Sequence, residues 1–95
     1  MQLEITRKAQ VDILTLQDFG NTNFGVSHTR KYLADMRDTF NALRDWPEMA
    51  RLRTEYGGTV RMHPFRSHLI FYRIEGDLLK VLRITSRYQD WPNRL

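Results

Sequence analysis

Within nine residues near the end of this chain stand Arg83, Arg87, Tyr88 and Trp91, two guanidinium groups and two aromatic rings. Guanidinium groups make bidentate contacts with carboxylates and phosphates, and aromatic rings supply rigid contact area, so the set suits gripping an acidic protein surface or a phosphate backbone. These four are the candidate binding residues. Bond-making chemistry finds no comparable support. His28, His63 and His68 lack metal-ligand spacing, and no cysteine is present to complete a metal site. No phosphate-cradling glycine loop, nucleophile with partners or catalytic carboxylate pair is recognisable, so no catalytic residue, metal or cofactor is assigned. His68 opens an apolar run and is expected to be a structural hydrogen-bonder. Arg83 and Arg73 have a competing use in ion pairs with carboxylates such as Glu55 or Asp90. Tyr72 is expected in the core, and Trp91 either packs back on the fold or awaits a partner.

The elements that position these groups follow from periodicity. His68 to Ile74 and Leu78 to Ile84 are apolar runs too short for typical helices, and they flank Glu75-Gly76-Asp77, a connection whose glycine can take positive φ; this is a β-hairpin pattern. Ile70, Tyr72 and Ile74 point to one face of the first strand, and Leu69, Phe71 and Arg73 to the other. By the same alternation Arg83 is expected to share a face with Val81 and Leu79. Thr59 to Phe65 reads as a third strand, with Pro64 near its end. Gln2 to Ile5 suits a short strand before Thr6, a helix cap. A helix is expected from Arg7 to about Phe19, with Ala9, Ile13 and Leu16 at helical spacing and Gly20 as its stop, followed by a turn over residues 21–25. A second helix is expected from Ser27 to Trp46, its buried stripe Tyr32, Met36, Phe40 and Leu43, ended by Pro47. Met49 and Leu52 suit one further helical turn. The outcome is an α+β domain of order β-α-α-β-β-β, with a helical hairpin on one face of an antiparallel sheet.

Composition sets the outer bounds. Ninety-five residues, 41% of them hydrophobic, are expected to form one domain spanning residues 1–95. No apolar run approaches the roughly 20 residues of a membrane span, and MQLEITRKAQ lacks a signal-peptide core, so a cytoplasmic protein is expected. Residues 1–50 carry six Lys or Arg against seven Asp or Glu, while residues 51–95 carry nine against four. The positive excess therefore belongs to the sheet half, where a solvated basic surface competes with a binding role.

A glycine before a basic strand, then Val60-Arg61-Met62-His63 and Ser67-His68-Leu69-Ile70-Phe71-Tyr72-Arg73, a short turn, Leu82-Arg83-Ile84, and finally Asp90-Trp91 together form a longer pattern. It resembles the ParE branch of the RelE/ParE superfamily, toxins of type II toxin–antitoxin modules, over essentially the whole chain. The resemblance implies the same β-α-α-β-β-β fold. It also implies a toxin that binds DNA gyrase, traps its cleaved-DNA intermediate and so blocks replication and division, without chemistry of its own. A cognate antitoxin is implied as partner: ParD-like, small, acidic and partly disordered when alone, folding across the sheet face that the helices leave uncovered. Direct nucleic-acid binding is not expected without the target complex. Where many ParE-like chains carry a histidine after the Arg-Ile pair, this one reads Thr85-Ser86-Arg87-Tyr88.

The alternative branch, RelE-like and YoeB-like, comprises ribosome-dependent mRNA interferases, which need basic residues for the scissile phosphate and a terminal His or Tyr for proton transfer. The YoeB-like pattern has His-Arg on the third strand and ends in Arg-Tyr-His-Tyr. This chain has His68-Leu69 and Arg87-Tyr88-Gln89-Asp90, which favours the gyrase branch. An inactive relic that only holds an antitoxin is the third reading.

Overall fold

The computed structural model describes residues 1–88, so Trp91 lies outside the described residues. The chain order is β1 (Gln2–Ile5), α1 (Arg7–Phe24), α2 (Val26–Asp45), β2 (Arg51–Leu52), a 3-10 turn (Thr54–Tyr56), β3 (Val60–Phe65), β4 (His68–Glu75) and β5 (Leu78–Ser86). The five strands form one mixed sheet in the order β1-β5-β4-β3-β2. β3, β4 and β5 are antiparallel neighbours joined by tight turns, and β1 lies parallel to β5, with Ile5 opposite Val81. The turn into β5 places Gly76 at φ 58°, the left-handed conformation that glycine adopts without penalty.

Each helix presents its apolar stripe to one face of the sheet. Met36, Phe40 and Leu43 of α2 and Ala9 of α1 are buried against Ile70, Tyr72, Leu79, Val81 and Ile84, with Ile13, Leu16 and Tyr32 packed around them. Tyr72 has no exposed surface, and its hydroxyl donates to the Pro47 carbonyl at 2.7 Å, so the polar tip of this core side chain is satisfied. Burial of each such side chain contributes about 1.5–3 kcal/mol. The opposite face carries Val60, Leu69 and Phe71, partly covered by Tyr56, whose ring meets Phe71 edge-on at 5.5 Å. The alternation expected of β4 is thus the one observed.

Two expectations at the helices are corrected. α1 does not stop at Gly20, and residues 21–24 are helical rather than a turn; the break is the single residue Gly25, at φ 91°. Gly20 serves a different purpose, as the point where α2 approaches α1. A Cβ there would lie 2.5 Å from Thr29 Oγ1. Leu52, expected with Met49 to suit a further helical turn, instead lies with Arg51 in β2 on the edge of β3, where Arg51 opposes Met62. The Arg61 guanidinium donates to the Ala50 carbonyl at 2.7 Å and ties this edge down.

Candidate functional site

The C-terminal end of β5 is where three of the four candidate residues, Arg83, Arg87 and Tyr88, gather, and its geometry starts from an irregularity. Phe71 opposes Arg83, yet the next residue, Tyr72, opposes Val81, leaving Leu82 as the extra residue of a β-bulge. The bulge returns Ile84 to the helix side with Val81, three residues earlier, where strict alternation would separate them. It also overturns the expectation that Arg83 shares the face of Val81 and Leu79. Arg83 is aligned with Phe71, and its head turns to the edge of the sheet.

On the side away from β4, β5 has no strand neighbour past Val81 among the described residues, because β1 ends opposite Val81, and α1 takes over. The Thr6 hydroxyl donates to the Leu82 carbonyl at 3.1 Å and also caps α1 by accepting from the Ala9 N–H. Two turns on, Asp12 accepts from Arg83 through Nε at 2.8 Å and Nη2 at 3.0 Å, and from the Ile84 backbone N–H at 2.9 Å. The carboxylate therefore neutralises a guanidinium and satisfies a strand-edge donor together, and Arg83 is made still more basic, first by this hydrogen bonding. Sequence reasoning offered Glu55 or Asp90 for Arg83 and did not find Asp12; Asp90 lies outside the described residues. The available signal was an acidic residue beside the Ala9, Ile13, Leu16 stripe. Glu55 is instead bonded to Arg53, at 2.8 Å.

Beyond β5 the backbone N–H of Arg87 donates to the Ser67 carbonyl at 3.0 Å, anchoring the start of the tail to the β3–β4 turn. Both Arg87 and Tyr88 are exposed, Tyr88 at 81%. The structure brings Arg83, Arg87 and Tyr88 to one end of the molecule but gives them different surroundings.

Tyr88 and Arg83 also line a cleft of about 900 Å³ between the helical hairpin and the end of β5, with apolar walls from Leu16, Phe19, Phe24 and Ile84. On its far wall the Tyr32 hydroxyl lies 2.7 Å from His68 Nδ1. Burial lowers the His68 pKa and favours the neutral imidazole, which shares this hydrogen bond with the phenol, as expected of a structural hydrogen-bonder. Burial likewise raises the Tyr32 pKa. Next to them Arg66, at φ 50°, bonds Asp35 at 2.8 Å and lies over the Phe65 ring. Asp35 is held below the usual carboxylate range first by its hydrogen bond to Lys31 and then by that to Arg66. Among the described residues no group of three or more His, Cys, Asp or Glu could hold a metal ion. No helix among them is long and apolar enough to cross a membrane.

The family model that matches the chain is that of the ParE toxin of the type II toxin–antitoxin system parDE, over residues 3–91. The chain belongs to the ParE toxin family. Its fold is similar to that of a chain from the chromosomal ParDE toxin–antitoxin system of P. aeruginosa, with a TM-score of 0.79 and 23% identity over 90% of this chain and 95% of that one. No curated protein matches. The ParE-like pattern carried by Ser67–Arg73, Leu82–Ile84 and Asp90-Trp91 therefore falls in a ParE toxin domain, whose parDE system pairs it with an antitoxin.

Proposed function

We propose that this ParE-family toxin acts by binding: it grips DNA gyrase through Arg87, Tyr88 and Trp91, holds the cleaved-DNA intermediate, and is neutralised when its cognate antitoxin covers the toxin surface. The observation that carries the reading is the way potential acid–base and phosphate-binding groups at this end are committed. Arg83 is bidentate to Asp12, and His68 is tied to Tyr32. What remains exposed, Arg87 and Tyr88, suits contact more than proton transfer. Arg83 accordingly acts in this reading by fixing the end of β5 from which the tail departs.

For the antitoxin, the sheet face opposite the helices is already partly covered by Tyr56, whereas Val11, Leu14, Phe19, Phe24 and Val26 of the hairpin remain exposed. A partly disordered antitoxin segment that buries these side chains and enters the neighbouring cleft gains the apolar area needed to offset its ordering. Leu14→Asp and Phe24→Asp should each weaken the complex by about 1–2 kcal/mol in titration calorimetry, while Asp38→Asn, a change at another exposed site, leaves it unaltered. Unchanged affinity in both apolar variants would place the antitoxin elsewhere. Gyrase targeting is tested by adding purified toxin to gyrase and relaxed plasmid: loss of supercoiling with accumulation of cleaved DNA supports it, and uninhibited supercoiling contradicts it.

A further inference from the structure

A second cleft, of about 500 Å³, lies on the other side of Arg83 from the hairpin cleft. Tyr56, Val60 and Leu82 line it together with Thr6, Arg7, Lys8 and Arg83. Its apolar residues belong to the small cluster on the sheet face away from the helices. The charges around it are one-sided. Arg7 and Lys8 are exposed and have no hydrogen-bond or ion-pair partner among the described residues, while Asp12, which answers Arg83, is already engaged by that guanidinium and the Ile84 N–H. Nor does helix stability account for them. They stand in the first turn of α1, which contains no acidic residue, and cations there oppose the helix dipole. Two uncompensated cations beside an apolar floor containing an aromatic ring are the elements with which proteins hold a nucleic-acid strand, the cations on phosphate and the ring against a base.

We propose that this cleft takes one nucleotide unit of a single-stranded nucleic acid, its phosphate against Arg7 and Lys8 and its base on the floor of Tyr56, Val60 and Leu82. The cleft volume lies in the range of small-ligand sites. A nucleotide brings a phosphate for the cations and a flat base for the floor in a single unit, whereas the carboxylates of an acidic protein segment answer only the charge, which favours the nucleotide. The inference goes beyond gyrase binding and runs against the sequence expectation that nucleic acid is met only within the target complex. Because binding is measured without gyrase, its failure and that of the gyrase reading are separable.

The test is fluorescence anisotropy of a short labelled oligothymidylate with the full chain at low salt. Saturable binding is expected, weakened about tenfold in Arg7→Gln/Lys8→Gln, with a log affinity against log salt slope shallower by about 1.4, or 0.7 for each lost phosphate contact. Arg30→Gln/Arg37→Gln removes the same charge from exposed positions on α2 and should change the affinity less than twofold. Tyr56→Leu, which keeps an apolar floor, should also weaken binding about tenfold. Circular dichroism establishes that each variant is folded. Thymidine monophosphate is expected to compete only weakly; competition as strong as that of the oligonucleotide would overturn the assignment to a strand. Equal weakening by the α2 pair and the α1 pair, or equal competition by polyglutamate, would overturn the site.

Discussion

Asp12 joins the first helix to the last strand through one carboxylate, and the strength of that junction can be measured. Its side chain is 14% exposed and that of Arg83 27%, so solvent screens the pair only in part. Asp12→Ala removes two hydrogen bonds from the Arg83 guanidinium and the acceptor of the Ile84 N–H, and should cost about 1–3 kcal/mol in urea unfolding. Asp12→Asn keeps one acceptor and should cost less; if Ala and Asn are both neutral, the junction does not hold the edge. Arg83 could be read from sequence as an arginine needing a carboxylate, but the identity of that carboxylate could not, because the contact spans 71 positions and depends on a bulge. Counting by twos along β5 assumes a regular ladder, and one extra residue, Leu82, reverses the result for everything after it. The histidines carry a second prediction. His63 and His68 both have pKa values lowered by burial, so the folded state favours their neutral forms. Their contribution is present above the ordinary value of 6.5 and lost as the pH falls through the lowered folded values. The urea midpoint should therefore drop between about pH 7 and pH 5, before the depressed carboxylates Asp35, Glu55 and Glu75 take up protons. The drop should be shallower in His68→Gln; an unaltered slope would show that His68 does not contribute.

At the scale of elements, the helical hairpin depends on a close approach between its two arms. Gly20 of α1 and Thr29 of α2 are buried against each other, and the Thr29 hydroxyl has no partner among the described residues. Gly20→Ala is a test in which two effects oppose. Alanine gains about 1 kcal/mol of helix propensity, but its Cβ would meet the Thr29 side chain at 2.5 Å and force the helices apart, at a cost of about 1–3 kcal/mol. Net destabilisation is expected in thermal unfolding, with recovery in Gly20→Ala/Thr29→Ala, which opens space for the added methyl. A more stable single variant would mean that the approach is not tight. This glycine also shows why the hairpin was only partly legible. A glycine after an apolar periodic run has the signature of a helix stop, and only the position of α2 reveals that the small side chain is needed for packing. The apolar stripe of α2 and the β4–β5 hairpin were legible because each carries its full signal locally, in the spacing of Met36, Phe40 and Leu43 and in Gly76 between two β-rich runs.

Taken whole, the molecule places its apolar core between the helices and the sheet, and exposed Arg87 and Tyr88 at the end where β5 runs out. Membership of the family accounts for a sequence pattern that runs through residues 3–91, whereas the use of Arg83 depends on a contact distant in sequence. The central claim is that toxicity comes from contact and from no bond-making residue. Truncation after Ser86 removes Arg87, Tyr88 and Trp91 but leaves every strand and helix of the described residues in place, so the shortened chain should fold and bind antitoxin nearly as before. The most direct measurement sets gyrase supercoiling inhibition beside ribosome-dependent mRNA cleavage for the full chain, the truncation and Tyr88→Phe. The account predicts gyrase inhibition by the full chain, its loss on truncation, and a graded change of a few-fold in Tyr88→Phe, well short of the roughly 10²–10⁴-fold loss on removing a catalytic acid or base. Ribosome-dependent cleavage by the full chain that disappears in Tyr88→Phe, with gyrase unaffected, would contradict it.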